Sequence, residues 1–266
     1  MAWWGKLAGG AFGFLFGGPL GALLGAAFGH QFDKGLSQPT GAGAQSEQPE
    51  LTERTQAAFF TATFAIMGAV AKSDGRVSEV EISQARRIMG EMQLNEAQRQ
   101  AAIKLFYSGK EPDFDLPGVL EQFRKECHRS THLVRMFLEI QFMTALADGV
   151  VHARERSLLY DIGERLGIYR DEIEHLLHIA QGFHEDTGAV SPAQQLRDAY
   201  EILGVDENTP DSEVKKTYRR LMNQHHPDKL VAKGLPEEMM SVATEKTQQI
   251  KKAYELVKQQ RKANQE

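Results

Sequence analysis

Val214-Lys-Lys-Thr-Tyr-Arg-Arg-Leu-Met-Asn-Gln-His-His-Pro-Asp228 reads as a basic amphipathic helix that runs to about His225 and then turns. Val214, Tyr218, Leu221 and Met222 share one face, and Lys215, Lys216, Arg219 and Arg220 lie on the opposite side. His225 falls on the apolar side and reads as a packed histidine. Pro227 fixes one backbone dihedral and removes a donor, which stiffens the turn His226-Pro227-Asp228. Upstream, Asp198 to Val205 reads as a short helix stopped at Gly204. Thr209 is placed to cap the next helix, with Pro210 at its first position. Downstream, Ala243, Thr247, Ile250, Tyr254 and Val257 recur at three-four spacing. That is the seam of an antiparallel helix hairpin.

These residues together resemble a J-domain. The opening Tyr200…Leu203-Gly204-Val205 matches, as do Lys215-Lys216…Tyr218-Arg219…Leu221, His226-Pro227-Asp228 and Ile250-Lys-Lys-Ala253-Tyr254. The resemblance implies docking on an ATP-bound Hsp70 (DnaK) and acceleration of its ATP hydrolysis, with catalysis belonging to the partner rather than to this chain. His226, Pro227 and Asp228 would make the contact, beside the basic face of Lys215, Lys216, Arg219 and Arg220. A carboxylate such as Asp228 suits a charge-assisted bond to an arginine, and the cations suit an acidic partner surface. A fourth J-domain helix is expected to be short or absent. No Gly/Phe-rich or cysteine-rich module follows, so general client binding is not expected.

Between residues 51 and 181 the pattern is helical, without strand alternation. Phe60, Phe64, Met67 and Ala71 fall on one helix face, and Ile82, Ala85, Ile88, Met89 and Met92 continue at helical spacing. There is an internal repeat. Ala71-Lys-Ser-Asp74-Gly75-Arg-Val77 followed by Glu81 parallels Ala145-Leu-Ala-Asp148-Gly149-Val-Val151 followed by Glu155. Each copy ends a helix, turns at Asp-Gly and starts another. Ser78 and Glu81 have the spacing of a capping box. The repeat resembles the TerB-like helical domain of tellurite-resistance proteins. Asp74, Glu81, Asp148 and Glu155 either converge on a metal or a partner's basic group, or shape turns and cap helices. The second reading is favoured, and no metal site is assigned. His152, His175 and His178 read as ordinary surface histidines.

Residues 7–29 carry no charged side chain. As a helix this stretch is roughly 35 Å long, enough to cross a bilayer core. Trp3 and Trp4 lie where an interfacial aromatic belt would be. Gly5, Gly9, Gly13, Gly17, Gly21, Gly25 and Gly29 recur every fourth residue and make one smooth stripe. Such a stripe lets a second membrane helix approach closely, so a homodimer is expected through it. Pro19 falls where it would kink the helix.

The formal net charge of −5 argues against broad nucleic-acid binding. The single cysteine, Cys127, rules out an internal disulfide and reads as a buried small side chain. The expected class is all-α: a single transmembrane helix, a TerB-like helical bundle and a C-terminal J-domain hairpin. The parts are residues 1–6 (short periplasmic N-terminus), 7–30 (transmembrane helix), 31–50 (linker), 51–181 (TerB-like domain), 182–196 (linker) and 197–266 (J-domain).

This layout resembles the membrane-anchored DnaJ-like co-chaperones of Gram-negative bacteria. It implies a single-pass type III protein of the inner membrane with cytoplasmic C-terminal domains. It also implies dimerisation through the anchor, no cofactor, no enzymatic activity, and a regulatory role linked to envelope signalling and capsule synthesis. Two other classes stand beside it: a membrane-bound metal-binding or tellurite-response protein, and a hydrolase using His225, His226 and Asp228 as a metal site.

Overall fold

The computed structural model describes residues 18–32, 47–73, 79–92, 94–127, 130–146, 149–185 and 192–263. Among these, every regular element is helical. In chain order they are α1 (Gly18–Phe32), α2 (Glu47–Lys72), α3 (Glu79–Glu91), α4 (Glu96–Gly109), α5 (Leu116–Cys127), α6 (Thr131–Ala145), α7 (Ala153–Arg165), α8 (Arg170–Glu185), α9 (Pro192–Leu203), α10 (Asp211–Gln224), α11 (Pro227–Val231), a 3-10 turn (Glu237–Met239) and α12 (Met240–Ala263). The helices reach into both stretches read as linkers, since α2 starts at Glu47, α8 ends at Glu185 and α9 starts at Pro192.

The axis of the middle bundle is α2. Residues 56–68 of this helix are all buried, as expected for a segment apolar around its whole circumference. It packs against α1, α4, α5 and α6. Glycine lets α2 and α4 touch backbone to backbone. A Cβ on Gly68 would lie 2.0 Å from the Phe106 carbonyl oxygen, and one on Gly109 would lie 1.7 Å from that of Ala65. Elsewhere aromatic rings fill the space: Phe59 meets Phe123 at 6.0 Å and Phe137 at 6.4 Å, and Phe123 meets Phe137 at 4.6 Å. Cys127 is buried at the end of α5, and burial pushes its thiol pKa well up, so it is inert at neutral pH.

Helix α1 lies on α4 and α5. Leu20, Leu24 and Ala27 are buried there. The Leu20 N–H donates to Gln122 Oε1 (2.9 Å), and Lys104 Nζ donates to the Ala27 carbonyl (2.8 Å). Pro19 lies in the first turn of α1, where its missing N–H costs no helical bond, so it starts this helix rather than kinking it. Of the glycine stripe, Gly21 is buried, Gly25 has open space around its Cβ position and Gly29 lies within α1. Gly5, Gly9, Gly13 and Gly17 lie outside the described residues. No helix among the described residues is long and apolar enough to cross a membrane.

The C-terminal unit has its own core of Leu203, Val214, Leu221, Ile250, Ala253 and Val257, joined by Ile179 from α8. Tyr218 and Tyr254 stack at 4.1 Å with planes 11° apart, closing the α10–α12 hairpin. Arg261 ties the end of α12 to the rest of the unit. It donates to Tyr200 Oη (3.0 Å), the carbonyls of Thr209 (2.6 Å) and Glu207 (2.9 Å), and Asp211 Oδ1 (2.6 Å). Pro210 is itself the residue before α10, and Asp211 is the first helical one. Thr209 Oγ1 accepts from the Asp206 N–H (3.1 Å), closing the preceding turn instead of capping the helix.

The two units share more than a linker. Leu230, Leu235, Met239, Val242 and Ala243 are part of the middle bundle's core rather than that of the C-terminal unit.

Candidate functional site

The turn His226-Pro227-Asp228 starts α11. His226 is the residue before the helix, with φ −61° and ψ 120°, and Pro227 occupies the first helical position. The carbonyl of His226 accepts from the N–H groups of Lys229 and Leu230, both at 3.1 Å. Lys229 Nζ also donates to Asn223 Oδ1, bracing the turn against α10. His226 and Asp228 are both exposed. The backbone is thus held while the imidazole and carboxylate face solvent.

All four cations of α10 (Lys215, Lys216, Arg219 and Arg220) are exposed. Lys216 pairs with Glu213 one turn away at 3.3 Å, a contact of small energetic consequence at this exposure. Lys215 borders a groove with Tyr254 and Arg261, whereas Arg220 borders a cleft facing α6 and α8. The basic face therefore spans the width of α10, from its partner α12 to the middle bundle.

That cleft, of about 320 Å³, is lined by Arg135, Glu139, Asp171, Glu172, His175 and residues of α10. At its floor is an arrangement the sequence reading missed. Lys246 Nζ lies 2.7 Å from Glu139 Oε2, and His225 Nε2 lies 3.5 Å from Glu139 Oε1. Burial works against the charge on Glu139, but the attraction of its cationic neighbours prevails and holds the carboxyl below its ordinary range. Burial pushes His225 below its ordinary value, against the pull of Glu139. The only local signals were a carboxylate inside the apolar run of α6 and a lysine between Ala243 and Ile250 on the α12 seam. His225 faces Glu139 while His226 and Asp228 face solvent, so these three do not converge as metal ligands.

The other sequence candidates separate. Glu155 is buried and accepts from the His152 N–H (2.9 Å), so it caps the start of α7. Glu81 lies in α3, and Asp74, Ser78 and Asp148 lie outside the described residues. Among the described residues no group of three or more His, Cys, Asp or Glu side chains is placed to hold a metal ion. His152 and His178 are exposed as expected. His175 is not an ordinary surface residue: a Cβ on Gly204, which has φ +60°, would lie 2.1 Å from its Cε1.

Comparison with known proteins identifies the parts of the chain. Residues 1–39 match the family described as Co-chaperone DjlA transmembrane domain, residues 60–178 match Tellurite resistance protein TerB, and residues 198–265 match the DnaJ domain. The chain is 44% identical to the Co-chaperone protein DjlA of Coxiella burnetii, covering 98% of this chain and 99% of the relative. It is 42% identical to the proteins of that name from Photobacterium profundum (97% and 99% covered) and Escherichia coli (98% and 99% covered). No solved structure matches. With its transmembrane, TerB and J-domain parts in that order, the chain belongs to the DjlA family of membrane-anchored J-domain co-chaperones.

Proposed function

We propose that the chain docks on a cytoplasmic Hsp70 (DnaK) through His226, Pro227 and Asp228 and the basic face of α10, and stimulates its ATPase at the inner membrane. The observation that carries this reading is the exposure of His226 and Asp228 on a turn stiffened by Pro227, next to four exposed cations. Asp228 offers a charge-assisted bond to an arginine of the partner. Lys215, Lys216, Arg219 and Arg220 steer an acidic surface toward it. The chain itself hydrolyses nothing in this scheme.

The DjlA relatives support the extension to a regulatory role at the membrane. In it, the N-terminal segment spans the inner membrane once, in type III orientation, because the partner and its ATP are cytoplasmic. The glycine stripe from Gly5 to Gly29 pairs two copies, which requires α1 to leave α4 and α5, against which it packs and where Gly21 is buried. Envelope and capsule signalling is the process served. Association unchanged by Gly17→Leu with Gly21→Leu would remove the dimer from the scheme.

The central test is Hsp70 ATPase stimulation by the full-length protein and by Asp228→Asn. Loss of stimulation with an unchanged fold is expected. Normal stimulation by the variant would refute the docking mode.

A further inference from the structure

Glu139 belongs to α6 of the middle domain and is 1% exposed. A carboxylate so buried needs a counter-charge. Here the counter-charge comes from the J-domain: Lys246 on α12 at 2.7 Å, with the His225 ring at 3.5 Å. His225 is the residue immediately before His226-Pro227-Asp228.

The chain is held on the other side of the turn as well. Leu230 and Leu235 sit in the middle-domain core at 1% and 0% exposure. Gln56 Nε2 donates to the Leu235 carbonyl (3.5 Å), and Gln98 Nε2 donates to Glu238 Oε1 (2.7 Å). Gly234 has φ +105°, and a Cβ there would lie 2.6 Å from Thr55 Cγ2. Between these supports, α11 has five residues. So short a helix does not hold itself. The supports leave His226, Asp228 and the four cations of α10 exposed, so docking of the two domains presents the turn rather than covering it.

We infer that Glu139 is a positioning residue for the J-domain: through Lys246 and His225 it fixes the His226-Pro227-Asp228 turn against the middle domain, which thereby sets how the turn meets Hsp70. This rests on the Hsp70-docking reading above. A turn held in its binding geometry loses little freedom on association, whereas a loose one binds only through the fraction of time it spends there.

The test uses the full-length protein in membranes, with Glu139→Gln and, from the other side of the contact, Lys246→Met. Amide hydrogen exchange reads the turn directly. Hsp70 ATPase titration reads the concentration for half-maximal stimulation separately from the maximum. Both variants are expected to speed exchange at the hydrogen-bonded amides of Lys229, Leu230, Ala232, Lys233, Gly234 and Leu235 at least tenfold, with α2 and α4 unchanged. Both are expected to raise the half-maximal concentration at least fivefold while the maximum stays within twofold. Unchanged exchange or an unchanged half-maximal concentration in either variant overturns the inference. So does a uniform rise in exchange across α2 and α4, because Glu139 would then support the fold at large. If the wild type fails to stimulate Hsp70, the docking reading falls, and the exchange data still decide whether Glu139 holds the turn.

Discussion

The two sides of the segment from His225 to Lys246 are built to different standards. One side presents His226 and Asp228 to solvent with little around them. The other side buries His225, Leu230, Leu235, Met239 and Lys246 against the middle domain. The exposed side carries the chemistry a partner would read, and the buried side carries the energy that keeps it in place. A substitution on the first should change recognition and leave stability alone, and one on the second should do the reverse first.

The sharpest break in that comparison is Asp228→Asn. Stimulation of Hsp70 should fall to background. Thermal stability should change by no more than about 0.5 kcal/mol, the usual range for an exposed site. Calorimetry alongside the ATPase assay checks both halves.

Glu139→Ala attacks the buried side. It removes the 2.7 Å ion pair with Lys246, and breaking a buried pair costs about 3–5 kcal/mol. The loss should appear as easier release of the C-terminal segment from the middle domain in denaturant, with α2 and α4 unfolding at an unchanged midpoint. A loss near zero would mean that water reaches the pair.

Gly234→Val should come next. At φ +105° a branched side chain is strained, and its Cβ would collide with Thr55. A destabilisation of about 2 kcal/mol is expected. Thr55→Ala should return part of it, and a double-mutant cycle measures the coupling.

The effect of pH is smaller and has a definite sign. Burial lowers the pKa of His225 in the docked form. As pH falls through the ordinary histidine value of about 6.5, the unfolded chain therefore takes up a proton that the docked form resists. Stability at this seam is full above that value and declines below it. Glu139, held below its ordinary range, adds its own loss only at lower pH, as the pH falls through its folded value. The same seam also holds His132, lowered by burial and then by Lys233, Arg135 and Lys229, and His175, lowered by burial and then by Arg220. His225→Asn should therefore flatten only part of the decline in melting temperature between pH 7 and 5.

Lys216→Ala marks the lower end of the scale. Its ion pair with Glu213 is exposed, so stability should stay within about 0.5 kcal/mol, while association with Hsp70 becomes slower and less salt-dependent. Stopped-flow association at two ionic strengths reads the change.

Legibility followed the range of the interaction. The stripe Val214, Tyr218, Leu221 and Met222 and the seam from Ala243 to Val257 were readable because helical periodicity is local. Phe60, Phe64, Met67 and Ala71 were readable for the same reason, and all four are buried. Thr209 has the local signature of a cap, but Pro210 is the residue before α10 and the Thr209 hydroxyl is taken by the Asp206 N–H of the preceding turn. His175 looked like surface because the residue that presses on it, Gly204, is in the other domain.

By itself, the sequence determined the all-helical class, the order of the parts and the stiff His226-Pro227-Asp228 turn, since propensity, spacing and proline act within a few residues. Only the tertiary structure decided that the turn rests on the middle domain. A buried carboxylate in α6 and a buried lysine in α12 each look like an isolated violation of patterning, and only folding brings them to 2.7 Å, where desolvation makes each the other's requirement.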